Sequence, residues 1–259
     1  MNKTLAIDAH CHLSDLRVFA NRHDWMKKMN DLGIAWFAMG GVNPVEWDRQ
    51  NQLCIEYPTK IIKCFGLHPY YVSETDPIQL KNELKSLEAQ ISQCDFLGEL
   101  GLDFRKEIVK NQEALQISVF RGQLELAQRY NKKVVLHVVR AHEEVLRILK
   151  EYKVTGLVHS FNSSVEVAKN YIELGYCLSL GAPCLRPQHG PLVTELPLES
   201  LLIESDAPDQ PPRGLKEHDS ATILLLAQMI ADNKGLTADQ VIEKTRVNFE
   251  TLLGRRLTC

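Results

Sequence analysis

The sequence predicts an α/β fold, namely a closed (β/α)8 barrel of the TIM type that forms a single domain over residues 1–259. Eight short apolar runs alternate with longer helical patterns, which is typical of a barrel built on a parallel sheet. The length of 259 residues also suits this fold, since such barrels commonly span about 250 residues as one domain. No low-complexity segment or long linker divides the chain.

The predicted strands are continuous apolar runs, as expected for strands buried on both faces of a parallel sheet. They cover residues 4–9, 34–39, 60–66, 96–99, 133–138, 155–159, 177–180 and 200–205. Helical patterns cover residues 78–90, 111–130, 142–152, 165–174, 219–233 and 237–253. Asp76 with Pro77, and likewise Thr237, are suited to begin helices. The alternative fold, an open doubly wound sheet, would place a glycine-rich loop after the first strand, where residues 8–13 stand instead.

Charge and cysteine content narrow the class of protein. The formal net charge is −3, and tight, extended binding to nucleic acid usually requires a basic surplus. The seven cysteines include no CxxC pair, so neither a zinc ribbon nor a disulfide framework is indicated. No apolar run approaches the roughly 18 residues of a membrane span, and residues 1–10 lack the apolar core of a signal peptide. We expect a cytoplasmic protein with no membrane association and no obligate protein partner.

A pair of histidines at the end of the first predicted strand gives the strongest local signal. Side chains two residues apart on an extended backbone point to the same face, so His10 and His12 offer two imidazoles on one side. Taken alone, such a pair is more often a polar strand end than a metal site.

Four more candidate ligands stand at the ends of later predicted strands: Glu99, His137, His159 and Asp206. Each of them alone could cap a helix or rest in the core. In a barrel, however, the carboxyl ends of all strands converge on one face, where active sites lie. Six nitrogen and oxygen ligands on that face together predict a metal centre. Glu204 is expected to support these ligands or fill the interior, and Asp103 to lie in a solvated loop.

The size and chemistry of this set predict two divalent cations. One catalytic ion needs three protein ligands and a water, whereas four imidazoles and two carboxylates suit two ions about 4 Å apart that share a carboxylate. Imidazole-rich sites favour transition metals. We therefore expect zinc or manganese, with magnesium as the alternative.

At these residues the sequence resembles the TatD family of metal-dependent deoxyribonucleases, within the amidohydrolase superfamily. The resemblance covers nearly the whole chain, with His137 in its middle and Asn248 in the final helix. Its motifs are DAHCH at 8–12, GLHP at 66–69, GELGLD at 98–103, VHSF at 158–161 and ESDAP at 204–208. The resemblance implies a TIM barrel with a two-metal centre.

The resemblance also implies a role for each ligand, in two sets that share Glu99 as a bridge: His10, His12 and Asp206 for one ion, and His137 and His159 for the other. Glu99 and Asp206 would be catalytic, with Asp206 orienting or deprotonating the water that the two ions activate. The family's usual activity is hydrolysis of phosphodiester bonds in DNA, mainly from the 3′ end of single strands. The expected partner is single-stranded DNA or another phosphoester, bound transiently.

Two further residues are candidates for contact with the substrate. His68 ends the third predicted strand, where it could donate to a phosphate or make a structural hydrogen bond. The family usually has an arginine two positions after the fifth-strand histidine, where this chain has Val139, and Arg140 follows one place later. Arg140 is therefore the candidate replacement, unless the shift turns it elsewhere.

Two other functions are open from the sequence. The same metal centre could serve an amide or ester hydrolase, such as a D-aminoacyl-tRNA deacylase, because one fold accepts many substrates. The chain could also be a non-catalytic metal-binding scaffold, although all six ligand positions are filled. Activity on a phosphodiester compared with esters and amides separates these alternatives.

Overall fold

Parallel strands close into a barrel in the computed structural model, which describes residues 4–215 and 218–258. The strands are β1 (Ala6–Cys11), β2 (Ile34–Met39), β3 (Ile61–Ile62), β4 (Cys64–Phe65), β5 (Phe96–Asp103), β6 (Lys133–Val139), β7 (Gly156–Val158), β8 (Cys177–Leu180) and β9 (Leu201–Ile203). They form two parallel ladders in chain order, β1 to β3 and β4 to β9.

Backbone hydrogen bonds close both gaps between the two ladders. β3 and β4 are halves of one strand, and the carbonyl of the intervening Lys63 accepts from Asp95 N at 2.9 Å. On the other side, Asp206 N, beyond β9, donates to His10 O of β1 at 2.9 Å. The predicted eight-stranded barrel is therefore confirmed, while the assignment of residues 1–259 to one domain stays a prediction.

Twelve helices accompany the strands in the described ranges. They are α1 (Leu16–Phe19), α2 (Arg22–Leu32), α3 (Pro44–Glu56), α4 (Pro69–Glu74), α5 (Pro77–Gln90), α6 (Lys106–Val109), α7 (Glu113–Arg129), α8 (His142–Leu149), α9 (Val165–Glu173), α10 (Gly190–Glu195), α11 (Thr222–Lys234) and α12 (Ala238–Leu253). None of these helices combines the length and apolar character needed to cross a bilayer.

All six predicted helices are found, as α5, α7, α8, α9, α11 and α12, with ends that shift by no more than three residues. Asp76 caps α5 by accepting from two backbone N–H groups, and Thr237 begins α12 through a capping box with Gln240. The sequence interpretation missed the other six helices, of which α2 and α3 are the longest. For α3 a signal was present, because Asn43 caps the helix and Pro44 occupies its first position.

Strand β5, the fourth of the predicted strands, continues beyond its predicted end. β5 ends at Asp103 rather than at Glu99, so Glu99 lies inside the strand. The pairing with β6 slips directly after Gly98, and such an irregularity re-aims the side chain next to it. Gly101, at φ 148°, lets the backbones of β5 and β6 approach each other, since a Cβ at this position would lie 1.9 Å from His137 O. Gly101 hides the extension, because glycine normally weakens a strand pattern.

The barrel interior is filled by a small apolar cluster, and a larger one lies between strands and helices. The interior cluster comprises Ile7, Ala9, Ala35, Trp36, Ala38, Ile62, Cys64, Phe96, Val135, Leu157, Leu202, Phe249 and Leu252. Val135 stands two positions before His137 on β6, and Leu157 two positions before His159 at the end of β7. Since residues two apart share a face, the apolar interior leads directly into the polar site above it.

Three buried glutamines reach from helices to backbone groups that strand pairing leaves unused. Gln123 of α7 pairs with both the N–H and the carbonyl of Leu67, at 2.8 and 3.1 Å. Gln116, also of α7, does the same for Asp103, at 2.9 and 3.2 Å. Gln50 of α3 is the third. These side chains hold the strand ends where the site is built.

The contacts of Gln50 predict its contribution to stability. It donates to Gly40 O and Cys64 O and accepts from Cys64 N, each at 2.9 Å. Gln50→Leu leaves those buried groups unpaired, so we expect the free energy of unfolding to fall by about 3 kcal/mol, at about 1 kcal/mol for each lost bond. Urea denaturation measures this change. Gln52→Leu, the same exchange at an exposed position of α3, should alter stability by less than about 0.5 kcal/mol. Equal effects of the two substitutions would contradict the role given to Gln50.

Candidate metal centre

Glu99 lies fully buried at the centre of the site, with imidazoles on both sides of its carboxylate. Its Oε1 is 3.4 Å from Nε2 of both His10 and His12. Its Oε2 is 3.0 Å from His159 Nε2 and 3.7 Å from His137 Nδ1. The two oxygens of one carboxylate therefore face two separate pairs of histidines.

Asp206 adds a second carboxylate on one side of the centre. Its Oδ1 is 3.3 Å from His12 Nε2 and 3.7 Å from His10 Nε2. Its Oδ2 accepts a hydrogen bond from Gln210 Nε2, and Gln210 Oε1 accepts from Ser160 Oγ at 3.0 Å. All six predicted ligand residues thus meet in one place. Gln210 was not predicted, because it lies in an irregular loop where no periodicity points to it.

The polar atoms at the centre have the pattern of a cation site. Both ring nitrogens of His10 and both carboxylate oxygens of Glu99 are buried without a hydrogen bond from the described residues. Buried polar atoms are normally paired, and converging imidazole and carboxylate donors are ligands for divalent transition metals. Three sets of ligand atoms each lie within 4.8 Å of one another: His10, His12 and Glu99; His10, His159 and Asp206; and His68, Glu99 and His137. The residues present therefore fit the predicted ions.

Ionisation at the centre is governed by the two carboxylates. Burial opposes a charge on Glu99, yet His10, His159 and His12 hold the pKa of Glu99 well below its usual range. Burial likewise opposes an imidazolium at His159, but Glu99 raises the pKa of His159 well above its usual value. Burial also opposes a positive charge on His12, but Glu99 and Asp206 raise the pKa of His12 to about 10. The centre is therefore an anionic pair that attracts positive charge, as protons or as metal ions.

His68 lies beside the centre, where it was predicted. Its Nε2 is 3.9 Å from Glu99 Oε2, and its ring centroid is 4.3 Å from that of His137. Its Nδ1 accepts from Tyr70 N at 3.0 Å, so the side chain caps α4. Burial and the neighbouring His137 hold the pKa of His68 well below its usual value. Nδ1 of His68 thus has a structural role, while Nε2 faces Glu99 among the candidate metal ligands.

Two carboxylates stand behind the histidines of the centre. Asp103 Oδ2 is 3.2 Å from His137 Nε2, and Glu204 Oε1 is 3.5 Å from His159 Nδ1. Both carboxylates are completely buried. Glu204 was expected to support the metal ligands or to fill the barrel interior, and it lies behind His159, a candidate ligand. The solvated loop predicted for Asp103 was wrong, because β5 continues to this residue.

Arg140, the second candidate for substrate contact, follows β6 with an exposed side chain and φ 54°. It lines a hollow of about 250 Å³ together with Phe104, Glu143 and Arg147, among others. No residue of that hollow belongs to the three ligand sets. Contact between Arg140 and a substrate stays a prediction.

Comparison with known proteins places this geometry in a family context. A family model described as TatD related DNase matches residues 7–254. The protein named deoxyribonuclease TATDN3 of Homo sapiens is 28% identical over 252 residues, which cover 93% of this chain and 92% of the human protein. The protein named uncharacterized metal-dependent hydrolase YjjV of Escherichia coli is 28% identical over 215 residues, or 81% of this chain and 82% of its own.

Solved structures agree with the barrel. The crystal structure of the TatD homologue YjjV from Escherichia coli superposes with a TM-score of 0.85 at 25% identity, over 95% of this chain and 97% of that one. A hydrolase of the TatD family from Entamoeba histolytica superposes with a TM-score of 0.83 over 96% of this chain and 98% of that one. At 18% identity, this second likeness shows the fold alone.

Gly40, directly after β2, leaves the space in which two candidate ligands, His12 and Glu99, lie. A Cβ at this position would lie 2.3 Å from His12 Cε1 and 2.7 Å from Glu99 Oε1. We expect Gly40→Ala to displace both side chains and to weaken divalent-cation binding by about tenfold or more, the scale seen for residues that position metal ligands. Calorimetric titration of the metal-free protein with Mn²⁺ or Zn²⁺ measures this.

Gly122→Ala is the matched control. There a Cβ would meet Leu84 Cδ1 at 3.5 Å, an ordinary contact, so cation affinity should equal that of the unsubstituted protein. Unchanged affinity after Gly40→Ala would show that His12 and Glu99 do not hold an ion in this arrangement.

Proposed function

The chain belongs to the family of TatD-related DNases, and from that premise we propose that it removes nucleotides from the 3′ end of single-stranded DNA by phosphodiester hydrolysis. It is a metal-dependent hydrolase of the TatD type that acts on ester bonds. The substrate, the number of ions and the role of each residue are the proposal.

The observation that carries the proposal is the division of the Glu99 carboxylate between two groups of ligands. Oε1 faces His10 and His12 at 3.4 Å, and Oε2 faces His159 and His137 at 3.0 and 3.7 Å. A carboxylate placed in this way supports a bridge between two ions, as in two-metal phosphoesterases.

We assign the ligands of the two ions accordingly, as His10, His12 and Asp206 for one and His137 and His159 for the other, with Glu99 between them. Zinc or manganese suits this imidazole-rich set, with magnesium as the alternative. When bound, such ions bring the pKa of a water to about 7 and neutralise charge that develops on a phosphoryl group.

Asp206 is proposed to orient the attacking water and accept its proton. His12 and His159 overcome the effect of burial and hold the pKa of Asp206 below its usual range, so the carboxylate is ionised and can accept a proton. Gln210 holds Oδ2 through a hydrogen bond and leaves Oδ1 towards His12 and His10. This arrangement fixes the orientation of the acceptor before substrate binds.

The hydrogen bonds of His68 support a different role from that of the other imidazoles. Because Tyr70 N can only donate, His68 Nδ1 carries the lone pair, and the neutral ring then holds its proton on Nε2. A protonated Nε2 is a donor and cannot bind a cation. We therefore propose that His68 donates to an oxygen of the substrate and is not a metal ligand.

The proposed partner is single-stranded DNA, bound transiently, with no obligate protein partner. The net charge of −3 supports brief contact at the centre rather than extended phosphate neutralisation. A cytoplasmic location belongs to the same proposal. Free thiols support it, at Cys11, Cys54, Cys64, Cys94, Cys177 and Cys184.

The activity is tested directly with labelled oligonucleotides. Metal-loaded protein should shorten a 5′-labelled single strand from its 3′ end, act more slowly on a duplex, and stop when EDTA removes the ions. Bis-p-nitrophenyl phosphate, carboxyl esters and N-acyl compounds are assayed in parallel. Hydrolysis of esters or amides alone would favour the second enzyme class, and inactivity of the metal-loaded protein on every substrate would overturn the proposal.

Asp206→Asn should lower the rate of DNA hydrolysis by about 10²–10⁴-fold, the usual contribution of a positioned proton acceptor. The fold should be retained, as judged by circular dichroism, because the amide keeps the size and the hydrogen-bonding oxygen of the side chain. Asp232→Asn, on the exposed face of α11, should leave the rate unchanged. A normal rate after Asp206→Asn would remove this residue from the mechanism.

His68→Asn separates donation to the substrate from metal binding. Asparagine is a favoured N-cap and can keep the bond to Tyr70 N, while its short side chain no longer reaches the site. We expect the rate to fall by about 10²-fold, as for the loss of one positioned donor, with metal content unchanged. Loss of bound metal, measured by plasma mass spectrometry, would instead identify His68 as a ligand.

A further inference from the structure

Buried carboxylates stand behind the imidazoles on one side of the centre, at His137 and His159, but not behind those on the other side, at His10 and His12. We infer, on the basis of the proposed two-ion centre, that the ions bind with different strength, and that Asp103 and Glu204 make the His137–His159 position the tighter one. Asp103 thereby acts as a positioning residue, through His137.

Asp103 is held firmly against the far side of the His137 ring. Its Oδ2 lies 3.2 Å from His137 Nε2. Arg105 Nε donates to both carboxylate oxygens, at 2.9 and 3.0 Å, and Arg105 N donates to Oδ1 at 3.1 Å. Gln116 pairs with the backbone of the same residue. Arg105 and His137 therefore fix the carboxylate of Asp103, and Gln116 fixes its backbone.

The orientation of His137 follows from this contact. Arg105 forms a salt bridge with Asp103, and a carboxylate only accepts hydrogen bonds, so His137 Nε2 is the donor in its contact with Asp103. The lone pair is then on Nδ1, 3.7 Å from Glu99 Oε2 and 2.9 Å from His159 Nε2. The ring is set in the tautomer that a cation between these atoms requires.

Glu204 lies behind His159 at an ion-pair distance rather than in a hydrogen bond. Its Oε1 is 3.5 Å from His159 Nδ1, which has no hydrogen bond within the described residues, and it accepts from Ser160 N at 2.6 Å, so the backbone next to His159 fixes the carboxylate. His159 Nε2 is thereby directed to Glu99 Oε2 at 3.0 Å. Both histidines of this position thus have a buried carboxylate behind them.

The opposite position lacks this support. Within residues 4–215 and 218–258, neither ring nitrogen of His10 has a hydrogen-bond partner. No hydrogen bond joins Glu46 to His12 in the described part of the chain, where the Glu46 carboxylate instead accepts from Ser14 Oγ at 3.4 Å. The carboxylate of Glu46 is itself 3.9 Å from Arg49 Nη2.

A carboxylate behind a ligating imidazole fixes its tautomer and raises its basicity, and loss of such a partner typically weakens metal binding by about 10- to 100-fold. Because the partners are on one side only, their effect is on one ion. Stepwise loading should therefore fill the His137–His159 position first.

The test is a calorimetric titration of metal-free protein with Mn²⁺, which should resolve two steps whose dissociation constants differ by about tenfold or more. Asp103→Asn keeps the shape of the side chain and should weaken the tighter step by about 10- to 100-fold, leaving the weaker step within about threefold. Glu204→Gln should act on the same step. His12→Asn, on the other side, should remove the weaker step alone.

Glu151→Gln, a surface carboxylate paired with Arg121, is the matched control and should change neither step. Circular dichroism of each metal-free variant establishes that it is folded, and Glu204→Gln provides the test if the Asp103 variant is not. Two binding steps of equal strength would overturn the inference while leaving the two-ion centre intact. The same conclusion would follow if Asp103→Asn or Glu204→Gln weakened the step that His12→Asn removes. Absence of any binding step would overturn the proposed function instead.

Discussion

The buried carboxylate of Glu99 is the constraint on which the rest of the site depends. An ionised carboxylate withdrawn from water is strongly destabilising unless positive charge or hydrogen bonds compensate it. Its two oxygens receive no hydrogen bond from the described residues, so the compensation comes from the imidazoles around it and from the cations that these imidazoles would hold. This explains why His10, His12, His137 and His159 converge on one side chain at the top of an otherwise apolar barrel.

The backbone that carries Glu99 is shaped by the same need. A regular strand would place successive side chains on alternate faces, whereas the slip in the pairing of β5 with β6 after Gly98 re-aims Glu99 towards the centre. The strand then resumes and ends at Asp103, whose carboxylate reaches the far side of His137. One irregular strand thus supplies both the central carboxylate of Glu99 and the partner of His137, a candidate ligand, and Gln116 secures its end.

The sequence is most informative where a ligand follows from strand periodicity. His10 and His12 are two apart, and His137 and His159 end apolar runs, so their convergence follows from the geometry of a parallel barrel alone. Asp103 and Gln210 could not be placed in this way. The first is hidden by Gly101, which resembles the end of a strand, and the second acts through an irregular loop whose path depends on tertiary contacts.

The candidate metal ligands are held by the barrel, whereas the residues around them lie in loops. This difference bears on how the fold accommodates different substrates. Five of the six candidate ligand residues stand on strands or directly after them, and Asp206, three positions beyond β9, is anchored by its N–H to His10 O of β1, so the barrel fixes most of their geometry. Arg140 lies outside the strands, with a φ of 54° that the surrounding loop must maintain. A change in that loop would alter what approaches the centre, whereas a change at Gln210 would also reach Asp206 through their hydrogen bond. The metal chemistry is therefore determined by the barrel, and the choice of substrate by segments that can vary independently of it.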